Sequence, residues 1–519
     1  MSFDSSDRDS RFRVVLGDSV NVEPARGGSS FRMAILGDFS GRANRQLLGF
    51  GTQWATRRPV EVDRDNFDEV LAKLKPELRI RPGTGDAELA LRFAGLDNFH
   101  PDHLYEHLEV FARLRELRRR LADRSTFAEA AAELGLTPRT AAVPSRLEPP
   151  GPAPREGGAT LDIEQLASGS LLDQVIEQAG ERPVPPRGRD EWGRFLHDLV
   201  APHLAPGADP RQPEVLAEVD RAVSDTMRAI LHHADFQALE SAWRAVFFLV
   251  RRLETDSNLK LFLIDVSKGE LAADLSGEGL AGTATYRLLV EQIVKTPGAV
   301  PWAVLAGNYT FAANLEDVNL LVKLGQIAAA AGAPFLAAAS ASLVGCDSLA
   351  STPDPAHWTA PSNTDGERAW QSLRRRPEAD YLGLALPRYI QRLPYGEATD
   401  ACEGFDFEEL TASPLHEDYL WANPAFACAF LLGEEYSRSG SEMRPRGGEI
   451  NGLPLHTYRN SGEWAAEPCA EVLLTETAAE SILERGLMAL VSFKGRDAVR
   501  LVRFQSIADP PRGLSGPWS

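Results

Sequence analysis

Apolar side chains recur in steps of three and four through residues 231–250, LHHADFQALESAWRAVFFLV. The apolar positions are Phe236, Leu239, Trp243, Val246, Phe247 and Val250. This spacing predicts an amphipathic helix with a wide apolar face. Because that face carries three aromatic rings, other elements of the fold have to cover it. The short acceptor side chain of Asp235 is predicted to cap the start of the helix.

The composition is that of a globular protein, since 43% of the 519 residues are hydrophobic and 25% are charged. A chain of this length predicts roughly two to four domains. The formal net charge of −19 argues against sequence-independent nucleic-acid binding, which needs a cationic face. An acidic surface serves solubility or meets a basic partner, and the charge alone leaves both interpretations open.

The sequence predicts neither export nor membrane insertion. The N-terminal residues MSFDSSDRDSRFR are polar and lack the apolar region of a signal peptide. No apolar run reaches the roughly 20 residues that span a bilayer. The four cysteines lie far apart without a CxxC pair, which favours reduced thiols over a metal or disulfide site. We therefore expect a cytoplasmic protein.

Strand and helix patterns alternate along the chain, which predicts an α/β (α+β) fold with mixed sheets and flanking helices. Strands are predicted at 11–20, 31–40, 88–96, 259–266, 301–306, 335–339, 381–386, 470–475 and 487–504. Helices are predicted from Asp65 or Asn66, over 104–121, 190–228 and 231–250, and near 283–295, 316–331, 366–374 and 423–437. The helices after residue 99 are expected to pack on the second half of the chain.

A stretch rich in proline and glycine divides the chain. Residues 144–158, PSRLEPPGPAPREGG, contain five prolines and three glycines, a composition that sustains neither a helix nor a central strand. We therefore place a linker at 141–160. It separates a first region, 1–140, from a helical segment at 161–228 and a larger α/β core at 229–519.

The residues that could carry chemistry lack the spacing of a catalytic or metal site. His103 and His107 lie one helical turn apart, but without an HExxH arrangement they are predicted to occupy a polar helix face. Asp38 lies in GDFSGR, which cannot form a phosphate-binding loop, so a turn is predicted there. The arginines at 374–376 are predicted to face solvent. We expect neither a cofactor nor an enzymatic activity.

Three blocks of the first region follow one another in an order known from a protein family. They are FRMAILGDFSGR, RRPVEVDRDNFDEVLAKLKPELRI and LALRFAGLDNFHPDHLYEHL. Together they resemble the small subunit of the type VI secretion contractile sheath, the TssB/VipA family, over about residues 11–122. The intact VDxDNFDEVL and LDxFxPD cores make this resemblance specific.

The helix at 231–250 and the strand after it, LKLFLIDVSKGEL at 259–271, resemble the large subunit of the same sheath, the TssC/VipB family. Blocks such as YLGLALPRYIQRLPYG and GLMALVSFKGRDAVRLVRFQSI follow in the family order, so the resemblance extends over about residues 165–507. The two subunits are normally separate chains, and this sequence resembles their fusion. The family's C-terminal domain, which follows the QSI segment, is expected to be absent.

The resemblance implies a non-catalytic structural component of the sheath, with two contractile-sheath-like halves packed together. The alternative is an accessory protein of the same fold that caps, anchors or regulates the sheath without polymerising. The expected partners are other sheath or baseplate proteins of the type VI apparatus and further copies of this chain.

Two segments are expected to contact partners. The motif SLLDQVIEQ resembles the large-subunit helix that the ClpV AAA+ ATPase binds, and its serine can cap a short helix. The candidate binding residues are Ser170, Leu171, Leu172, Asp173, Val175 and Ile176. A strand near the N-terminus is a candidate for exchange between neighbouring subunits, by addition to a sheet edge. Its residues are Arg11, Phe12, Arg13, Val14, Val15 and Leu16.

Overall fold

A computed structural model describes residues 30–47, 54, 56–82, 88–123, 125–135, 212–277, 279–293, 299–359, 364–411, 415–460 and 463–518. Strands and helices alternate along it, which confirms the predicted α/β class with mixed sheets. The strands are β1 (Phe31–Gly37), β2 (Val60–Val62), β3 (Glu77–Ile80), β4 (Leu89–Arg92), β5 (Leu259–Asp265), β6 (Val304–Phe311), β7 (Phe335–Ala339), β8 (Leu382–Leu386), β9 (Tyr389–Ile390), β10 (Trp421–Ala422), β11 (Gly448–Ile450), β12 (Thr457–Asn460), β13 (Glu463–Ala466), β14 (Met488–Ser492) and β15 (Val499–Leu501).

The helices of the described residues lie between these strands. They are α1 (Phe67–Leu74), α2 (Pro101–His107), α3 (Glu109–Ala122), α4 (Phe127–Glu133), α5 (Gln212–Leu231), α6 (Ala234–Arg252), α7 (Lys268–Asp274), α8 (Ala284–Tyr286, continued by a π-helical turn at Arg287–Glu291), α9 (Leu315–Ala331), α10 (Asp365–Arg374), α11 (Pro424–Ser439) and α12 (Glu476–Glu484). Helix α5 runs through the boundary predicted between residues 228 and 229. The predicted linker at 141–160 lies outside the described residues, and the domain limits stay a prediction.

Nine strands form one mixed sheet in the order β11-β15-β14-β8-β7-β6-β1-β5-β2. The strands from β14 to β5 in this order pair in parallel, whereas β2 on one side and β15 and β11 on the other pair antiparallel. The nearly continuous apolar runs of β1 (FRMAILG) and β7 (FLAAA) fit this arrangement. Both faces of a parallel strand are buried under helices, so its side chains do not alternate between apolar and polar.

The sheet separates two hydrophobic cores. Met33 and Ile35 of β1 belong to the first core, together with residues of α6 and α11. Ala34 and Leu36 belong to the second core, together with residues of α9, α10 and α12. This alternation follows from the pleat of the strand, which points successive side chains to opposite faces. No helix among the described residues combines the length and apolar composition needed to cross a bilayer.

Helix α6 lies in the first core, which confirms the amphipathic helix predicted from the spacing, except that Phe247 of the predicted apolar face is 37% exposed. Trp243 is fully buried, and its ring lies 5.7 Å from that of Phe39 and 5.8 Å from that of Phe67. Its Nε1 donates a hydrogen bond of 2.8 Å to the carbonyl oxygen of Phe39. The polar atom of this large buried side chain is therefore satisfied, as burial of an indole requires.

The predicted cap of α6 is wrong. His233 occupies the N-cap position, and its Nδ1 accepts a hydrogen bond from the Asp235 amide. Asp235 already lies inside the first turn, because the helix begins at Ala234. Its carboxylate instead accepts a hydrogen bond of 2.9 Å from Asn44 Nδ2.

The apolar stripe over 104–121, predicted as one regular helix, is divided at Leu108. That residue has an extended backbone, with φ −81° and ψ 135°, and separates α2 from α3. The guanidinium of Arg115 donates to the carbonyl oxygens of Tyr105 and Glu106, which lose their helical partners at the break. This side-chain contact spans only nine and ten positions, but the spacing of the apolar residues carries no trace of it.

The prediction that all three arginines at 374–376 face solvent is wrong for Arg374. Only 7% of Arg374 is exposed, and its Nε donates a hydrogen bond of 2.8 Å to the carbonyl oxygen of Ile507. Its own carbonyl accepts the amide of Asp509 at 2.9 Å. The segment after β15 therefore packs over the end of α10 and buries this one cation.

The strand predicted at 470–475 is reduced to a single bridge between Ala470 and Tyr389. The carboxylate of Glu471 accepts hydrogen bonds from the Arg388 amide and from Arg388 Nε, both at 2.7 Å. Two main-chain hydrogen bonds remain here, from the Ile390 amide to the Cys469 carbonyl and from the Glu471 amide to the Arg388 carbonyl, and the side-chain contacts supplement them. The strand predicted at 487–504 is observed as the antiparallel pair β14 and β15.

Removal of the buried indole should destabilise the fold strongly. We expect Trp243→Ala to lower the free energy of unfolding by about 3–5 kcal/mol, because it leaves a cavity in the first core. Denaturant unfolding followed by circular dichroism measures this change. Phe247→Ala is the matched control on the same helix, because Phe247 is 37% exposed and its loss should cost less than half as much. Equal losses for both variants would contradict the central place of Trp243.

Candidate functional site at the junction of the two segments

Two segments of the chain contribute alternate strands to one sheet. The described residues between 30 and 135 form the first segment, and those between 212 and 518 form the second segment. In the order β6-β1-β5-β2, the strands β1 and β2 come from the first segment and β5 and β6 from the second. β1 pairs in parallel with β5 along its whole length and with β6 over residues 33–36. This part of the sheet therefore exists only when both segments are present.

The turn after β1 is tied to the end of β5. Asp265 accepts hydrogen bonds from the amides of Phe39 and Ser40 at 2.9 and 3.1 Å, and from Ser40 Oγ at 2.8 Å. Parallel strands end at the same edge of a sheet, which brings these groups together. Burial raises the pKa of the Asp265 carboxyl, and the Ser40 hydrogen bond opposes that rise.

Asp38 forms the predicted turn. Its two carboxylate oxygens accept hydrogen bonds of 2.7 Å from the amides of Arg42 and Ala43. Gly41 inside this turn has φ +74°, and a Cβ there would lie 2.3 Å from the carbonyl oxygen of Glu77. Only glycine fits this position, because the backbone is left-handed and another chain segment lies against it.

Glu270 is the main charged link between the segments. Its side chain is fully buried. The carboxylate forms ion pairs with Arg42 Nη2 at 3.0 Å and with Arg57 Nη2 at 2.5 Å, and both arginines belong to the first segment. The same carboxylate accepts the Ser267 amide at 3.0 Å, while Ser267 Oγ accepts the Glu270 amide at 3.2 Å. This capping box holds the carboxylate in place at the start of α7. Arg57 Nη1 also donates to the carbonyl oxygen of Asp265 at 2.6 Å.

Aromatic rings from both segments meet at the start of α6. Phe93 and Phe99 of the first segment are stacked with their centroids 4.0 Å apart. The ring of Phe236 in the second segment lies edge-on to both, at 5.9 and 5.7 Å. These three side chains are buried, so the contact adds directional packing to the removal of apolar surface from water.

The helices after residue 99 pack on the second segment, as predicted. Arg118 of α3 donates to both carboxylate oxygens of Asp220 in α5, at 2.6 and 3.1 Å. Gln212 Nε2 donates to the carbonyl oxygens of Leu121 and Ala122, both at 2.7 Å. The second segment thus satisfies carbonyls that the end of α3 leaves without a helical partner.

A further buried charge cluster lies inside the second segment. The guanidinium of Arg392, which is 8% exposed, donates to Glu240 at 2.8 Å and to Glu409 at 2.6 Å. Burial by itself would raise the pKa of Glu409, but the charge of Arg392 and the hydrogen bonds from Arg392, His232 and the Tyr395 amide together outweigh it and lower the pKa to about 2. Glu409 is therefore ionised and paired, which suits a structural link rather than proton transfer.

One group among the described residues, His416, Glu417 and Glu471, places three metal-type ligand atoms within 4.8 Å of one another. Arg388 occupies the space between the carboxylates, with Nε 2.7 Å from Glu471 and Nη2 2.8 Å from Glu417. The positive guanidinium in that position accounts for the cluster without a metal ion.

The two predicted interaction segments, 11–16 and 170–176, lie outside the described residues and stay predictions. The junction residues Glu270, Arg42 and Arg57 were not found by sequence reasoning. The spacing of Ser267 and Glu270 is a capping-box pattern, a local signal that could have indicated the start of α7. The arginines that close on Glu270 lie more than 200 positions away, and no local pattern points to them.

Both segments match models of one secretion machinery. Residues 213–508, more than half of the chain, match the family described as EvpB/VC_A0108, tail sheath N-terminal domain. Residues 8–134 match the family described as Type VI secretion system, VipA, VC_A0107 or Hcp2.

Two curated relatives agree with these family matches. The chain is 34% identical over 372 residues to the type VI secretion system sheath protein TssC1 of Pseudomonas aeruginosa. The matched region covers 68% of this chain and 75% of that protein. It is 28% identical over 102 residues to the type VI secretion system sheath protein TssB1 of the same organism, which covers 19% of this chain and 57% of that protein.

The small-subunit and large-subunit matches fall on the two segments that share the sheet, which defines a structural protein of the contractile-sheath class. The chain belongs to the type VI secretion system sheath family and is a fusion of its small and large subunits. The resemblance that the sequence blocks carry is thereby confirmed.

Loss of the buried charge at the junction should destabilise the protein far more than loss of an exposed one. We expect Glu270→Gln to lower the free energy of unfolding by about 3–5 kcal/mol, because it leaves two arginines without their carboxylate. Glu61→Gln is the matched control, because Glu61 also bridges the segments, to Lys260 at 2.9 Å, but is 45% exposed. Its loss should cost at most about 1 kcal/mol. Thermal and denaturant unfolding measure both, and similar losses would contradict the role of Glu270.

Proposed function

We propose that the chain acts as a single-chain sheath subunit in the cytoplasm, which assembles with further copies of itself and with other sheath or baseplate proteins. The observation that supports this proposal is the interleaved order β6-β1-β5-β2, which makes the two segments one structural unit. Withdrawal of β1 would leave buried main-chain groups without partners on both sides. The rearrangements of a contracting sheath are therefore assigned to contacts between chains, where packing can have two discrete arrangements.

We also propose that this role is mechanical and involves no catalysed reaction. The buried carboxylates Asp265, Glu270 and Glu409 are each held by arginine, hydroxyl or amide donors of the chain itself. A general acid or base needs a position open to a substrate, so these pairings favour a structural role. A hydrolytic or transfer activity that copurifies with the chain and disappears with Glu270→Gln would contradict it.

The fusion has a consequence for assembly. A covalent connection between the segments sets their ratio at one to one. It also raises their effective concentration, to roughly the millimolar order for a linker of this composition. Pairing of the segments is then intramolecular and independent of protein concentration, whereas association between chains remains concentration-dependent. The two processes can therefore be separated by dilution.

Self-assembly can be tested by negative-stain electron microscopy of the full-length chain over a concentration series. We expect tubules or rings with helical or sixfold order above a threshold concentration, because each copy already contains both subunit types. Small monodisperse particles at every concentration would overturn this proposal and favour the accessory protein that caps, anchors or regulates a sheath.

The control uses a protease site introduced within the predicted linker, 141–160. After cleavage, the two parts should stay together in size-exclusion chromatography and assemble at the same threshold, because the shared sheet holds them. Separation of the parts after cleavage would contradict the single structural unit, whatever the microscopy shows.

We further propose that residues 170–176 bind the ClpV AAA+ ATPase. The support is the resemblance of SLLDQVIEQ to the recognised helix, with Leu171, Leu172, Val175 and Ile176 forming its apolar side. A short amphipathic helix binds a groove through such apolar anchors at helical spacing.

Substitution of one apolar anchor tests this assignment. Leu172→Asp should weaken binding of the purified full-length chain to the ClpV N-terminal domain at least about tenfold, because a charge would enter an apolar groove. Fluorescence anisotropy of the labelled domain measures the affinity. Gln174→Ala, on the polar side of the same motif, should leave it unchanged. Equal binding by both variants and the wild type would overturn the assignment.

A further inference from the structure

A two-stranded hairpin stands apart from the nine-stranded sheet. Among the described strands, β12 and β13 pair with each other, and Arg459 lies opposite Trp464. Trp464 is 71% exposed, the most of any large apolar residue in the described part of the chain. The guanidinium carbon of Arg459 lies 5.2 Å from the centroid of the indole ring. The hairpin thus presents a large ring to solvent with a cation held against it.

The base of this hairpin is anchored to the body of the protein. The Tyr419 hydroxyl and His456 Nδ1 share a hydrogen bond of 2.9 Å, and the amide of Glu467 donates to the His456 carbonyl at 2.8 Å. The ring of Tyr458 stacks on His456 at 5.4 Å. An isolated hairpin is only marginally stable, so these contacts are needed to hold Trp464 in a defined position.

An open groove of about 680 Å³ lies between α7 and α9. Ala272, Leu275 and Leu320 contribute apolar walls, and the charged lining residues are the exposed Glu316 and the half-buried Lys323. Leu315, which is 49% exposed, extends the apolar surface at the start of α9. The groove therefore combines apolar walls with one acidic and one basic side chain, and Glu316 is its anion.

The hairpin and the groove belong to opposite sides of the sheet. Tyr419, which anchors the hairpin, is part of the first core, whereas Leu275 and Leu320 of the groove are part of the second. Because the sheet lies between them, the hairpin cannot fill the groove of its own chain. A contact between these two different surfaces joins copies head to tail, the arrangement that builds rings and helical filaments.

Charge favours the same pairing. A chain with a net charge of −19 repels its own copies, so a contact between them needs local cations placed against acidic groups. Arg459 provides a cation beside the exposed ring, and Glu316 provides an anion beside the groove. Tryptophan and arginine are also the residue types that most often dominate interface energies.

We propose that Trp464 of one copy inserts into the groove between α7 and α9 of the next copy, with Arg459 placed against Glu316. This inference rests on the proposed self-assembly and names the surfaces that would carry one of its contacts. Insertion would remove the ring and the apolar groove walls from water together.

Photo-crosslinking from position 464 locates the contact directly. A photoreactive phenylalanine in place of Trp464, in the full-length chain at assembling concentration, should form intermolecular crosslinks that mass spectrometry maps to α7 and α9. Tubules that crosslink elsewhere would overturn this inference and leave the proposed self-assembly intact. Absence of tubules from the wild-type chain, together with absence of intermolecular crosslinks from the variant, would overturn both. Crosslinked pairs mapped to the groove without tubules would support the contact and contradict the sheath lattice.

A charge exchange provides the energetic test. Trp464→Ala should raise the concentration needed for assembly about thirtyfold, the change typical of a lost interface hot spot. Arg459→Glu and Glu316→Arg should each weaken assembly, and the double variant should restore it. Leu415→Ala is the control, because Leu415 is 70% exposed but lies outside the hairpin and the groove. Unchanged unfolding temperatures exclude misfolding, and a double variant no better than either single one would overturn the pairing.

Discussion

The main-chain pairing of β1 between β5 and β6 is the interaction on which the rest of the structure depends. It places a strand of the first segment in the parallel part of the sheet, where both faces are buried. The turn after β1 then reaches Asp265 and Trp243, and Arg42 reaches Glu270. Each of these contacts presupposes the register of β1, because a shift by one residue would exchange its two faces.

This arrangement bears on how a fused sheath subunit can work. Two subunits that were merely tethered could separate and rejoin during contraction. Here separation would expose the interior of the sheet, the buried Glu270 carboxylate and the Trp243 indole together. Loss of the contacts of any one of them would lower the stability of the fold. The fused chain is therefore best regarded as one body, held together by the sheet that its two segments share.

Much of the fold could be predicted because its signals are local. The spacing of apolar residues predicted α6 and α9, and short apolar runs predicted β1, β7 and β8, since burial imposes a period that neighbouring residues display. The failures have causes that the spacing of apolar residues does not display. Arg115 stabilises the break at Leu108 from the next helix, and Ile507 buries Arg374 across 133 positions. The family blocks identified both subunits but carried no information about how their strands interleave.

The sequence by itself determined the class of fold, the two subunit types and the helix that carries Trp243, because periodicity and motif order are properties of neighbouring residues. Only the tertiary structure decided that the segments share one sheet, that Arg42 and Arg57 close on Glu270, and that Trp464 remains exposed. These features depend on which distant groups meet in space. Strand order and buried charge pairs are set by the free energy of the whole chain, so no single stretch encodes them.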